Sequence, residues 1–297
     1  FIGVTTIAAT LFGLLTCLVS SIKFSGNAYH KVLLLTFLFS ATFYSFIIYL
    51  VTSGALLHYP HFLRAGSPFM YLLPISIMLL AQAVIGPKKK PDWSSLAWLA
   101  IPLLHIVELY PFYIQDATFK AQYLTELPVN RNIIFKTYNG WIPSIWHFYL
   151  QALLGVGFFS YTFLITLGPS WKNKVPPERF FLKWINLLAL FMSLSFAIIF
   201  VLLLMDDNSG KVQGFTALVF SVSLVSSFLF FFLNPEILVT DRKREHPPSP
   251  RLKHVTPTAI SENEKKAFNT MIDQYFRKKS GYLSPDFRLQ DLASELS

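Results

Sequence analysis

The sequence predicts an all-α protein: a polytopic bundle of seven transmembrane helices over residues 1–240, followed by a small cytoplasmic helical domain. Three observations predict it. Hydrophobic residues make up 53% of the 297 and charged residues only 14%, which is a membrane composition. The apolar residues are gathered into seven runs, each near the length that crosses a hydrocarbon core of about 30 Å. Beyond residue 260 the chain turns polar, with its apolar residues on one helical face.

The seven runs are Phe1–Ile22, Val32–Val51, Phe69–Ile85, Leu96–Ile114, Ile145–Leu167, Ile185–Met205 and Phe215–Leu233. The third is the shortest and carries Pro74, which makes it the weakest span of the seven. Phe1 already lies inside an apolar run, so further residues are expected before Phe1 and after Ser297. No basic segment precedes the first run and no small-residue cleavage site follows it, which argues against a signal peptide. The single cysteine, Cys17, excludes a disulfide framework or a thiolate metal site within one chain and reads as a packing residue.

Orientation follows from the loops. With the amino end outside, the inner loops hold Lys23, Lys31, Lys88, Lys89, Lys90, Lys172, Lys174, Arg179 and Lys183. The outer loops hold Arg64, Lys120, Arg131, Lys136 and Lys211, and a further basic cluster, Arg242 to Lys253, follows the seventh run. This excess places the carboxyl end in the cytoplasm. The net charge of +9 is what such topological bias produces and by itself identifies no nucleic-acid partner. All six tryptophans fall at span ends, where their rings suit the headgroup layer.

Residues 241–260 open with DRKREHPPSPRLKH, a basic segment running into a Pro-rich stretch. It reads as a stop-transfer flank and semi-rigid spacer; the alternative is a patch that holds anionic lipid at about 1 kcal/mol per basic residue. Ser261 and Glu264 then form an S-x-x-E capping box. Phe268, Met271, Ile272, Tyr275 and Phe276 make a helical stripe, closed by Arg277, Lys278, Lys279 and Gly281. That helix packs against the segment that follows it or pairs with its copy in a homodimer.

The last sixteen residues are YLSPDFRLQDLASELS, in which Leu289, Leu292, Ala293 and Leu296 share one helical face. Tyr-Leu, a Ser-Pro-Asp break, then Leu-x-x-Leu-Ala-x-x-Leu resembles the first helix-turn-helix of the AraC/XylS family of bacterial transcription regulators. Arg288 stands where that pattern usually has a Ser or Thr cap, and Ser297 where it usually has Gly or Asn. The resemblance covers residues 261–297 and implies the incomplete start of a DNA-binding domain. Leu289, Leu292, Ala293 and Leu296 would form the positioning helix, with Ala293 the small residue at a close helix crossing. The recognition helix, which carries the base contacts, is expected beyond Ser297, so no DNA-reading residue is assigned. The resemblance further implies DNA as a partner and the inner membrane of a bacterium as the location.

Polar groups inside spans are costly and ask for a function. His105 and Glu108 share a face of the fourth run and His147 and Gln151 a face of the fifth; all four lie between mid-membrane and the outer side, with His58, His61 and Arg64 in the loop after the second run. Together they suggest a pocket for a small-molecule or lipid-borne signal, against the alternative that they satisfy one another as interhelical hydrogen bonds. His58, His61, His105, Glu108 and His147 come from separate segments without a dense ligand motif, so no metal and no cofactor is expected. No nucleophile elbow, phosphate loop or other catalytic motif occurs, and no catalytic residue is assigned. Phe215–Leu233 lacks a lysine for retinal, and the helix from Ser261 lacks a phosphoacceptor histidine. The sequence therefore reads as a membrane-embedded one-component transcription regulator. The alternative is a membrane carrier or receptor whose tail is an interaction module without DNA binding.

Overall fold

The computed structural model describes residues 2–86, 90–126, 140–167, 176–205, 209–238 and 262–278. Among them are eleven α-helices and no strand. In order they are α1 (Ile2–Lys23), α2 (Ala28–Thr52), α3 (Ser67–Ile85), α4 (Trp93–Ala97), α5 (Ala100–Glu108), α6 (Tyr110–Tyr113), α7 (Ala117–Glu126), α8 (Ser144–Thr166), α9 (Pro176–Leu204), α10 (Ser209–Leu233) and α11 (Glu262–Lys278). Short 3-10 turns at Ala55–His58, Pro60–Phe62 and Pro235–Leu238 connect or close them. The chain divides into two units, residues 1–244 and 245–297.

Six helices, α1, α2, α3, α8, α9 and α10, are long and apolar enough to cross a membrane. What marks α1 as lipid-facing is the way it is turned. Its buried residues are Thr6, Ala9, Thr10, Gly13, Thr16 and Ser20, while Leu11, Leu14, Leu15 and Leu18 are exposed. A helix of a water-soluble protein does the reverse. In lipid the leucines gain nothing by leaving the surface, and small or hydroxylated residues allow close crossing and hydrogen bonds between helices. Thr10 accordingly donates to Ser45 Oγ of α2 at 3.2 Å, and a Cβ on Gly13 would collide with Thr42 of α2.

The third run, the shortest, forms the centre of this unit. Helix α3 packs against α2, α8 and α5, and 78% of its apolar window is buried, against 28% for α1 and 33% for α8. A helix enclosed on all sides is apolar all round, and Pro74, which removes one backbone bond, lies inside it without ending it. Helices α3 and α8 run parallel: Gln151 meets Ser67 near their starts and Gln82 meets Tyr161 further along both. Helix α1 packs between α2 and α10, and α9 against α8 and α10. A Cβ on Gly155 of α8 would overlap the Phe196 ring of α9, so only glycine permits that approach.

Two expectations need correction. The fourth run is not one helix: it is broken into α4, α5 and α6, with Pro102 in the first turns of α5 and Pro111 opening α6, and both prolines withhold backbone donors. The broken segment still covers the length of α3, since Trp98 packs on Phe158 of α8 at 5.1 Å while His105 packs on Tyr71 near the start of α3 at 4.9 Å. It therefore runs antiparallel to α3 and α8. The second correction concerns tryptophan. Trp93, Trp98, Trp141 and Trp146 are exposed, as headgroup anchors should be, but Trp184 is 7% exposed. Its ring is held in a cage of Phe37, Phe181, Phe230 and Phe231, with centroids 5.1 to 6.3 Å away. Trp171 lies outside the described residues.

In the second unit α11 forms where the capping box and stripe predict a helix, and Glu262 pairs with Lys265 on its surface at 3.7 Å. Residues 241–260 and the expected positioning helix with Leu289, Leu292, Ala293 and Leu296 lie outside the described residues.

Candidate functional site

The four intramembrane polar residues meet. His105 and Glu108, on the last turns of α5, face His147 and Gln151, on the first turns of α8, and all four are buried. The reason is geometric. The i, i+3 pair on α5 and the i, i+4 pair on α8 each form one helix face, and the antiparallel course of α5 brings the end of one helix level with the start of the other.

Around Glu108 the contacts divide into an outer and an inner set. Glu108 Oε1 accepts from the backbone N–H of Ile142 at 3.1 Å. His105 Nε2 shares a hydrogen bond of 2.7 Å with Ser67 Oγ, and the Gln151 amide donates to that same oxygen at 2.9 Å and to the Ser67 carbonyl at 3.2 Å. These outer bonds fix the carboxylate and the His105 ring. The inner atoms point at each other: His147 Nε2 is 3.0 Å and His105 Nδ1 3.7 Å from Glu108 Oε2. None of the three makes a hydrogen bond, although all are buried; the 3.0 Å pair is close enough for one but is not aligned for it. The two imidazoles lie 4.6 Å apart between centroids at 56°, and Tyr71 OH makes a long contact of 3.5 Å to the His147 carbonyl.

Arg64 adjoins this cluster from the loop between α2 and α3. It has φ 67°, left-handed backbone that a non-glycine residue adopts at a cost on the order of 1–3 kcal/mol. Tyr113 OH donates to its carbonyl at 3.2 Å, and its guanidinium stands 4.8 Å over the Phe148 ring. Burial pushes its pKa down to about 10, and the nearby Tyr44, Tyr113 and Glu108 act in the opposite direction. Arg64, Ser67 and Gln151 also line a cavity of about 130 Å³ whose other walls are mainly apolar, including Ile47, Met70, Phe148, Phe196 and Ile199. A space of that size accepts a benzene-sized group.

Of the other residues singled out from sequence, His58 and His61 do not join the cluster. His58 is exposed, and His61 Nδ1 lies 3.2 Å from the Lys120 ammonium. Lys120 is itself buried under Phe112 and donates to the Tyr113 carbonyl at 2.9 Å. It is therefore a packing residue of the loop as well as one of its charges. Sequence reasoning missed Ser67, Tyr71 and the Ile142 N–H. A serine opening an apolar run is the one available hint for the first, and a backbone donor leaves none.

Comparison of the chain with protein-family models, with curated proteins and with solved structures found no match. The functional reading thus rests on the residues themselves.

Proposed function

We propose that this chain is a membrane-embedded one-component transcription regulator. A seven-crossing sensor, with its amino end outside, carries a cytoplasmic DNA-binding domain that begins near residue 261. The observation that carries the sensing half is the convergence of His105, Glu108, His147 and Gln151, from two separate segments, into one buried cluster beside a cavity. Charged and polar side chains at membrane depth are costly and are kept where they serve a pathway or a ligand. The seventh crossing is supported by direction: α3 and α8 run parallel, so the chain between them must return across the bundle, and α4–α6 occupies that path.

The DNA-binding half is supported by α11, an amphipathic helix in a unit of its own, and by the AraC/XylS resemblance of residues 261–297. A small-molecule or lipid-borne signal bound in the cavity beside the cluster, walled by α2, α3, α8, α9 and α10, favours one arrangement of these helices, and the cytoplasmic unit reports it. The ligand has only to bind one arrangement better than the other; switching nearly the whole population requires about a 10⁴-fold preference.

The test is transcript sequencing in cells that carry, at matched membrane levels, the wild-type protein, Glu108→Gln, or a protein ending at residue 240. Both changes should alter one shared group of transcripts. Identical transcript levels in all three strains would remove the regulator reading and leave a membrane carrier or receptor.

A further inference from the structure

We propose that His105, Glu108 and His147 bind a divalent transition-metal ion of the zinc class. The three ligand atoms, His105 Nδ1, Glu108 Oε2 and His147 Nε2, lie within 4.8 Å of one another. Two imidazoles and one carboxylate form a set that zinc uses with a fourth position open, whereas magnesium and calcium prefer oxygen alone. Zinc bonds of 2.0–2.2 Å in a tetrahedral site put neighbouring ligand atoms about 3.3 Å apart. The two nitrogen–oxygen separations here, 3.0 and 3.7 Å, bracket that value, and the two imidazole nitrogens, within 4.8 Å of each other, have to turn toward a common centre to complete it.

Hydrogen bonding supplies a second, independent observation. Each ligand residue is more than nine-tenths buried, and the three inward atoms are the ones that lack a hydrogen bond. The outward atoms of His105 and Glu108 are taken, by Ser67 Oγ and the Ile142 N–H. That division is how metal sites are built, with outer partners orienting the ligands and inner lone pairs left for the ion. Ser67, held in turn by Gln151, bonds His105 Nε2; with the ring proton on Nε2, as a metal ligand requires, Nδ1 is left basic toward the centre. Without a cation, the two imidazole nitrogens and the carboxylate oxygen face one another with no hydrogen bond among them, a costly arrangement for buried polar atoms. Ion binding stands on this geometry alone; the ion as signal rests on the sensing function proposed above.

The experiment strips the purified full chain in detergent with a chelator and measures uptake of zinc, and of cobalt as an optical probe, with magnesium as control. Wild type should bind about one zinc per chain, show the visible bands of tetrahedral cobalt, and melt at a higher temperature with zinc. Glu108→Gln and His147→Ala should lose all three responses. Ser67→Ala, which removes no ligand, should bind about 10- to 100-fold more weakly and so separates metal binding from simple loss of fold. No zinc or cobalt uptake by wild type, or equal uptake by wild type and Glu108→Gln, overturns the proposal. Zinc bound at this site with transcripts indifferent to zinc supports the metal site and removes the sensing role from that ion.

Discussion

At the scale of single residues, the cluster depends on groups that carry no chemistry. Gly140 is the clearest. A Cβ there would overlap both Glu108 Oε1 and the Glu108 carbonyl oxygen, so the loop before α8 passes close enough to offer the Ile142 N–H only because position 140 is glycine. Gly140→Ala should displace the Glu108 carboxylate and destabilise the protein by about 1–3 kcal/mol, read as a lower melting midpoint in detergent. Gly157, beside which an added Cβ meets nothing, is the control, and Gly157→Ala should leave the midpoint near that of wild type. A sequence shows His105 and Glu108, and His147 and Gln151, because helical spacing makes each pair local and charge makes it conspicuous. That the two pairs, about 40 residues apart in the chain, face each other depends on the antiparallel course of α5 beside α8, which no local spacing encodes. Ser67 was hidden for the same reason, since nothing near it in the chain distinguishes it from other serines at helix starts.

At the scale of elements, six of the seven runs appear as continuous helices because length and hydropathy alone specify them. Rank within the bundle was less legible. Pro74 and a short run made the third segment look weakest, yet enclosure by neighbours offsets a missing backbone bond, and α3 lies at the centre. The fourth run has the composition of a span, but Pro102 and Pro111 divide it. Tryptophan shows the same limit. Position at a span end places a ring near the headgroups, while the direction of the side chain decides whether lipid or protein surrounds it. Trp184→Ala should therefore cost about 3–5 kcal/mol, the range for a large core aromatic, whereas Trp93→Ala, at an exposed ring, should fall within about 0.5 kcal/mol of wild type. Melting midpoints of the two variants against wild type check this; equal losses would contradict the caged position of Trp184.

At the scale of the whole molecule, the account requires the carboxyl end to reach the cytoplasm. Asn208→Cys and Ser249→Cys, each in a Cys17→Ser background, should differ toward a membrane-impermeant thiol reagent on intact cells: position 208 labels and position 249 does not. Labelling of position 249 from outside would separate the second unit from any DNA. Of the second unit the described part is α11, whose capping box and amphipathic stripe are local signals that a sequence shows. The packing of several helices that a helix-turn-helix requires is not a local signal, so the proposed regulatory half rests in sequence on a resemblance. The most direct measurement of the central claim is cross-linking of the natural full-length, membrane-embedded protein to DNA in living cells, followed by sequencing of the captured fragments. The account predicts a small set of discrete genomic sites that disappears when the protein ends at residue 240. Fragments distributed as in that truncated control would contradict it.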